Sequence, residues 1–186
     1  SDVNITAAKG KFITVDASLQ QKILQQPGVR KISFYAEEKA VLVNGDYQTI
    51  VYMKGVDANY NSTNNIVSHV ERGSYDLGNT EAPLMIAGAG ISNAVGADPE
   101  NIFSQPVVYL PNRKASNFSG MDAMHSYGIS TSGVFNIQQE FDDKYAFTNL
   151  PFMQYMLDID SNTYSGIELA LAPGTGMDEI KKDVQQ

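Results

Sequence analysis

The 186-residue chain contains no cysteine and no tryptophan, and only two histidines. Without a thiol there is no nucleophilic cysteine, no thiolate-ligated zinc and no disulfide scaffold. The absence fits a cytoplasmic or a periplasmic protein and decides neither. Basic residues are also scarce: 13 Lys and Arg stand against 21 Asp and Glu, for a formal net charge of -8. That field repels phosphate backbones. The basic clusters Arg30-Lys31, Arg113-Lys114 and Lys181-Lys182 are short and carry no interleaved aromatics, which argues against nucleic acid as a partner. The longest apolar stretch, Ala82 to Ile91, is too short and too rich in glycine to cross a bilayer. No signal peptide is present and the first residue is Ser1, so the ends read as cut points of a longer protein.

The composition that is present, 42% hydrophobic and 18% charged, is that of a globular domain. A chain of this length buries on the order of 70% of its extended surface and needs no metal or disulfide staple. Lys11 to Val15 predicts a short strand. Asp16 or Ser18 can cap a helix carrying Leu19, Ile23 and Leu24, which Pro27-Gly28 stops. Ile32, Phe34 and Ala36 alternate with polar neighbours, Val41 to Val43 continues the extended run, and Asn44-Gly45 predicts a two-residue hairpin turn. Tyr47 to Met53 returns, so the first part reads β-α-β-β.

After a polar crossing from Asp57 to Asn65, a strand at Leu84 to Ala87 enters a short helix with Ile91 and Val95 on one face and Gly96 at its end. Strands follow at Val107 to Leu110, Tyr127 to Ile137 and Tyr145 to Thr148, with a polar excursion from Pro111 to Ser126. Asn149 and Pro151 open a helix whose Phe152, Met153, Met156 and Leu157 share a face. Ile167, Leu169 and Leu171 form a last strand, and Met177, Ile180 and Val184 place a stripe on a final helix. This closing βα repeats the pattern of the opening one. A further strand is therefore expected after Gln186, unless the sheet finds its edge in another way.

The candidate chemistry is thin. Gly88-Ala89-Gly90 lies where a strand meets a helix, but Asn93 holds the third glycine position of a dinucleotide fingerprint, so a packing turn is favoured. Gly174-Thr175-Gly176 is followed by Met177, where a phosphate loop needs lysine. Asp158 to Asn162 mimics the start of a calcium loop, yet threonine and leucine hold its sixth and twelfth positions, and a capped turn is favoured. His69 and His125 have no ligand companion at helical spacing. Three Asn-x-Ser/Thr sequons, at Asn4, Asn61 and Asn117, are expected by chance in an Asn-rich chain. Glu37-Glu38 and Asp142-Asp143 are adjacent pairs, which point to opposite faces of a strand and form no dyad alone. No metal or cofactor is expected.

Several stretches, in order, resemble the extracytoplasmic domain of the FtsX-like permease family of ABC transporters, the group of the lipoprotein-releasing and macrolide-exporter permeases. They are Gln26 to Ile32 (Gln-Pro-Gly-Val-Arg-Lys-Ile), Val51 to Asp57 with its Gly-Val-Asp ending, and Ile86 to Gly96. Ser132 to Phe135 with Tyr145 to Pro151, and Ser165 to Leu171, complete the set. Pro99-Glu100-Asn101 departs from the Gly-Asp that commonly follows the third stretch.

The resemblance implies an α+β fold of two lobes: a membrane-proximal βαβ-type lobe from residues 1–57 and 165–186, and an inserted mostly-β lobe from 58–164 with a hairpin excursion over 111–127. It implies a non-catalytic domain on the periplasmic side of the bacterial inner membrane, lying between two transmembrane helices. The expected partners are a second permease subunit and a separate ABC ATPase, with a periplasmic chaperone or lipoprotein cargo outside. One permease type of this family recruits its chaperone through a hairpin. The matching stretch here presents Phe118, Met121, Met124 and Tyr127 beside Arg113 and Lys114. The competing reading is a loop folded back on its own lobe. Two other classes stay open: a periplasmic or secreted hydrolase with a carboxylate pair drawn from Glu37, Asp142 or Asp143, roughly 5–10 Å apart, and a stand-alone binding module.

Overall fold

A 16-residue strand, β3 (Val29–Asn44), organises the protein. Its buried positions are small or apolar on both faces apart from Glu38, so it reads as a central strand about 50 Å long at the usual rise per residue. The computed structural model describes residues 2–112 and 123–174. The predicted final helix, Met177 to Val184, lies outside them.

One edge of β3 pairs antiparallel with β4 (Tyr47–Val56) along the whole of β4. Beyond β4 come β10 (Tyr145–Asn149), parallel to it, then β6 (Leu84–Gly88), β9 (Ser130–Phe135) and β5 (Val70–Gly73). The opposite edge of β3 is shared. Residues 29–35 take β12 (Gly166–Leu171), which in turn takes β1 (Val3–Thr6), while Val41 to Val43 take β7 (Val107–Pro111). Strand β8 (Met124–Gly128) completes a hairpin with β7. The class is therefore α+β, with one large mixed sheet.

Neighbouring residues on each strand serve opposite faces. Phe34 and Ala36, Met85 and Ala87, and Ala146 face one core, which α1 (Ala17–Leu24), α3 (Ala89–Val95) and α5 (Leu150–Leu157) cover through Ile23, Ile91, Phe152 and Met153. Tyr35, Ile86, Phe135 and Phe147 face the other. There Tyr60 of α2 (Tyr60–Asn64), Ile66 of the following 3-10 turn and Phe141 of α4 (Gln139–Asp142) pack against them.

Local signals place the helix ends. Asp16 accepts from Leu19 N at 2.7 Å, Asn149 accepts from Phe152 N at 2.9 Å with Pro151 in the first turn, and Gly96 ends α3 with φ +67°. Three expectations need correction. The hairpin turn is Gly45-Asp46, one residue later than Asn44-Gly45, because Asn44 still pairs with Tyr47. Its amide is engaged instead, donating to Val95 O at 2.8 Å and Ser104 Oγ at 2.7 Å. The strand expected over Lys11 to Val15 shrinks to β2 (Ile13–Thr14), which pairs with β11 (Thr163–Tyr164) outside the main sheet. The single strand over Tyr127 to Ile137 is two, because β8 follows β7 while β9 joins β6. The sheet edge beside β12 is found in the other way left open, through β1, a strand not predicted.

Candidate functional site

Of the six hairpin residues, Arg113, Lys114, Phe118 and Met121 lie outside the described residues, and Met124 and Tyr127 stand in β8. Met124 is half-buried and lines a mostly apolar hollow with Pro111, Ile50 and Ala40. Tyr127 packs edge-on against Phe152 and Tyr155 of α5, with ring centroids 5.8 Å away in both cases. Burial, followed by the Tyr155 hydroxyl, pushes its phenol up. Tyr127 therefore clamps the hairpin root to α5, and Tyr155 beside it is 61% exposed.

The carboxylates of the hydrolase reading are not brought together. Asp142 is buried and both its oxygens accept from Ile137 N, at 2.9 and 3.1 Å. The Asp142 backbone presses on Gly88, and the Asp143 carboxylate and Cα press on Gly90, leaving no room for an added Cβ at either glycine. Gly88-Ala89-Gly90 is thus a packing turn against the α4 end. Glu37 sits elsewhere, on β3, and the charges acting on it are Lys54, Glu168 and Glu38. The Asp158 to Asn162 run is a capped turn: Asp158 adopts φ +56° at the end of α5, and the Gln154 amide donates to Ser161 O and Thr163 O. His69 closes the 3-10 turn and His125 lies in β8.

Sequence reasoning missed the polar centre of the molecule. Lys54 on β4 and Glu168 on β12 are only 8% and 6% exposed and meet at 3.3 Å. The Lys54 ammonium also lies over the rings of Tyr35 and Tyr60, 4.3 and 5.1 Å from their centroids. Asn64 of α2 adds its amide to Glu168 at 3.4 Å, and Tyr35 donates to Asn4 Oδ1 at 2.9 Å. Burial pushes the Tyr35 phenol up to about 12, so the ring wall is neutral at any physiological pH. This cluster joins β1, β3, β4, β12 and α2. The available signal was a single charge of opposite sign inside two apolar strands, Val-Tyr-Met-Lys-Gly-Val and Gly-Ile-Glu-Leu.

Next to it the sheet opens. Between Tyr35, the last residue paired to β12, and Val41, the first paired to β7, the outer edge of β3 has no strand neighbour. Ser165 accepts from Glu37 N at 2.8 Å, and the 7–11 loop hangs over the gap, with Lys11 reaching Glu38 at 3.3 Å. The result is a cleft of about 440 Å³ lined by Tyr35, Glu37, Tyr52, Lys39 and Ser165 among others. Burial, ahead of all other causes, raises the Glu37 carboxyl above the usual carboxylate range, opposed by Lys54 and by the Tyr145 hydroxyl, which donates to it at 3.4 Å. A second hollow of about 500 Å³, largely apolar, lies at the ends of β4 and β10 between Val56, Tyr75, Leu77 and Leu150. Among the described residues no helix is long and apolar enough to cross a membrane, and no group of three or more His, Asp and Glu could hold a metal ion.

No family model matches the chain, and no curated protein matches it in sequence. Its fold, by contrast, is found among solved structures. The periplasmic region of MacB from Actinobacillus actinomycetemcomitans aligns over 97% of this chain and 79% of its own, with TM-score 0.60 and 8% identity. The extracellular domain of the noncanonic ABC-type transporter YknZ from Gram-positive bacteria aligns over 97% and 88%, with TM-score 0.60 and 12% identity. A domain of a Porphyromonas gingivalis protein assigned as a permease aligns over 96% and 78%, with TM-score 0.54 and 12% identity. The chain therefore has the fold of extracytoplasmic transporter domains.

Proposed function

We propose that this chain is a non-catalytic extracytoplasmic domain of an ABC transporter permease, which couples ATP-driven motion of membrane helices to the binding of a partner or cargo outside. The observation that carries the reading is the fold, shared with periplasmic and extracellular transporter domains over nearly the whole chain. A second observation supports it. Asp2 donates its N–H to Leu169 O at 2.9 Å and accepts from Leu171 N at 2.9 Å, so the start of the first strand and the end of the last lie side by side. A domain moved by two adjacent membrane helices needs that arrangement. In this reading residues 1–57 and 165–186 form the membrane-proximal lobe and 58–164 the inserted one. The Lys54–Glu168 pair is the bond between β4 and β12 that would carry strain inside the first.

The narrower assignment, to lipoprotein release with a chaperone or lipoprotein as partner, rests on the sequence resemblance and on the 111–127 hairpin rooted by Tyr127 on α5. The test is purification of the intact gene product from detergent-extracted membranes. Co-purification of an ATPase subunit or domain is expected, with turnover that changes on adding the partner. A product without associated ATPase activity would reject the reading.

A further inference from the structure

The sheet gap beside β3 carries a site of its own, independent of the transport reading. Its chemistry is previewed a few ångströms away, where Lys54 seats an ammonium against the carboxylate of Glu168 and the rings of Tyr35 and Tyr60. On the same face of the sheet, two residues along β3 from Tyr35, Glu37 presents a second carboxylate, with Tyr52 opposite Lys39 on β4 and Tyr145 opposite Tyr52 on β10. The Tyr52 and Tyr145 rings lie 5.7 Å apart. Among the described residues Glu37 makes no ion pair; its side chain accepts only the Tyr145 hydroxyl. Of the cations nearby, Lys11 is bonded to Glu38, Lys54 opposite Glu37 is bonded to Glu168, and Lys39 is exposed at the lip, where its side chain can extend into solvent.

We propose that this cleft binds an alkylammonium group, with the charge seated on Glu37 and the methylene stem lying along Tyr52 and Tyr35. A carboxylate in a half-buried, aromatic-walled hollow favours a cation that brings its own apolar stem over a fully hydrated ion such as sodium. One charge-assisted hydrogen bond with one ring contact gives a dissociation constant on the order of a millimolar. The shared chemistry has two sources, a lysine side chain of a partner protein and a free small amine.

The test is an NMR titration of the ¹⁵N-labelled chain with n-butylammonium chloride, with a capped Ala-Lys-Ala peptide, and with sodium chloride and capped Ala-Met-Ala as controls. Saturable shifts confined to the amides around Glu37, Tyr52 and Ser165 are expected with the two ammonium probes. Glu37→Gln should weaken them about tenfold, with the rest of the spectrum unchanged, and Tyr52→Leu should weaken them less. Tighter binding of the peptide assigns the site to a protein lysine, and equal binding to small amines. Shifts reproduced by either control, or equal in Glu37→Gln, or no saturation with either probe, would overturn the proposal.

Discussion

Replacing Lys54 by methionine removes the cation from the centre of the fold while keeping the volume of its stem. The partner left behind, Glu168, is 6% exposed, and its carboxylate loses the ammonium 3.3 Å away. Breaking one half of a buried ion pair costs about 3–5 kcal/mol, because the remaining charge keeps its desolvation penalty. The Asn64 amide still reaches Glu168 at 3.4 Å, which places the expected loss at the lower end, about 3 kcal/mol. With a urea m-value of about 2 kcal/mol/M, the unfolding midpoint falls by roughly 1.5 M. Glu168→Leu alone strands Lys54 in the same way. The double variant Lys54→Met/Glu168→Leu, lacking both charges, returns to within about 1 kcal/mol of the parent. Urea unfolding followed by far-UV circular dichroism measures all three. A midpoint shift below roughly 0.3 M for the single variant, or a double variant that loses the sum of the two singles, would show that the two charges are not a buried pair.

Glu37 sets a pH dependence of the opposite sense to the usual carboxylate. Its folded-state value is raised, by burial first and then by Glu168 and Glu38 against the pull of Lys54 and Tyr145, so the folded protein binds more protons than the unfolded chain. Stability therefore falls as pH rises from the ordinary carboxylate value of roughly 4.3 through the raised one. Glu37→Gln should be more stable than the parent above that window and equal to it below; denaturation at pH 4 and pH 7 checks the crossing. Asn44→Ala removes the amide that ties the β3–β4 turn to Val95 O and Ser104, and should cost about 1–2 kcal/mol, read as a fall in melting temperature. Gly88→Ala drives a methyl into the backbone of Asp142 and should cost about 1–3 kcal/mol or prevent folding; a neutral result would reject the packing-turn account. In the hairpin, Phe118→Ala with Met121→Ala should abolish partner capture without lowering stability, whereas Tyr127→Ala should lower stability by loosening its contact with Phe152.

Segments whose geometry is decided locally were legible in the sequence. Asn149 and Pro151 announce α5, Gly96 ends α3, and the alternation of Ile167, Leu169 and Leu171 marks the apolar face of β12. Elements defined by a distant partner were not. β1 is four residues whose reason to be a strand is β12, at least 160 positions away. β5, Val-Glu-Arg-Gly, has no apolar period and exists because β9 offers it an edge. The break between β8 and β9 has no local mark beyond Gly128, because it reflects which neighbour each half follows. The same limit hid the candidate sites. Lys54 and Glu168 are separated by 114 residues, and only the sheet order β12-β3-β4 puts them on one face. Glu37 was visible as a carboxylate, but the cleft around it arises from a gap between two strands that no local pattern encodes.

The proposed placement outside the cytoplasm, on a membrane-attached permease, can be tested by thiol labelling. None of these 186 residues is cysteine, so once any cysteine elsewhere in the intact protein is replaced by serine an introduced thiol reports on this domain alone. Phe103 is 91% exposed in the loop after α3, so Phe103→Cys in the intact protein gives an accessible thiol without touching either core. Spheroplasts of cells expressing it are treated with a membrane-impermeant maleimide and then fractionated after alkaline carbonate washing. Labelling before lysis is expected, with the protein retained in the membrane pellet. Labelling only after lysis, or recovery of the protein in the soluble fraction, would contradict it.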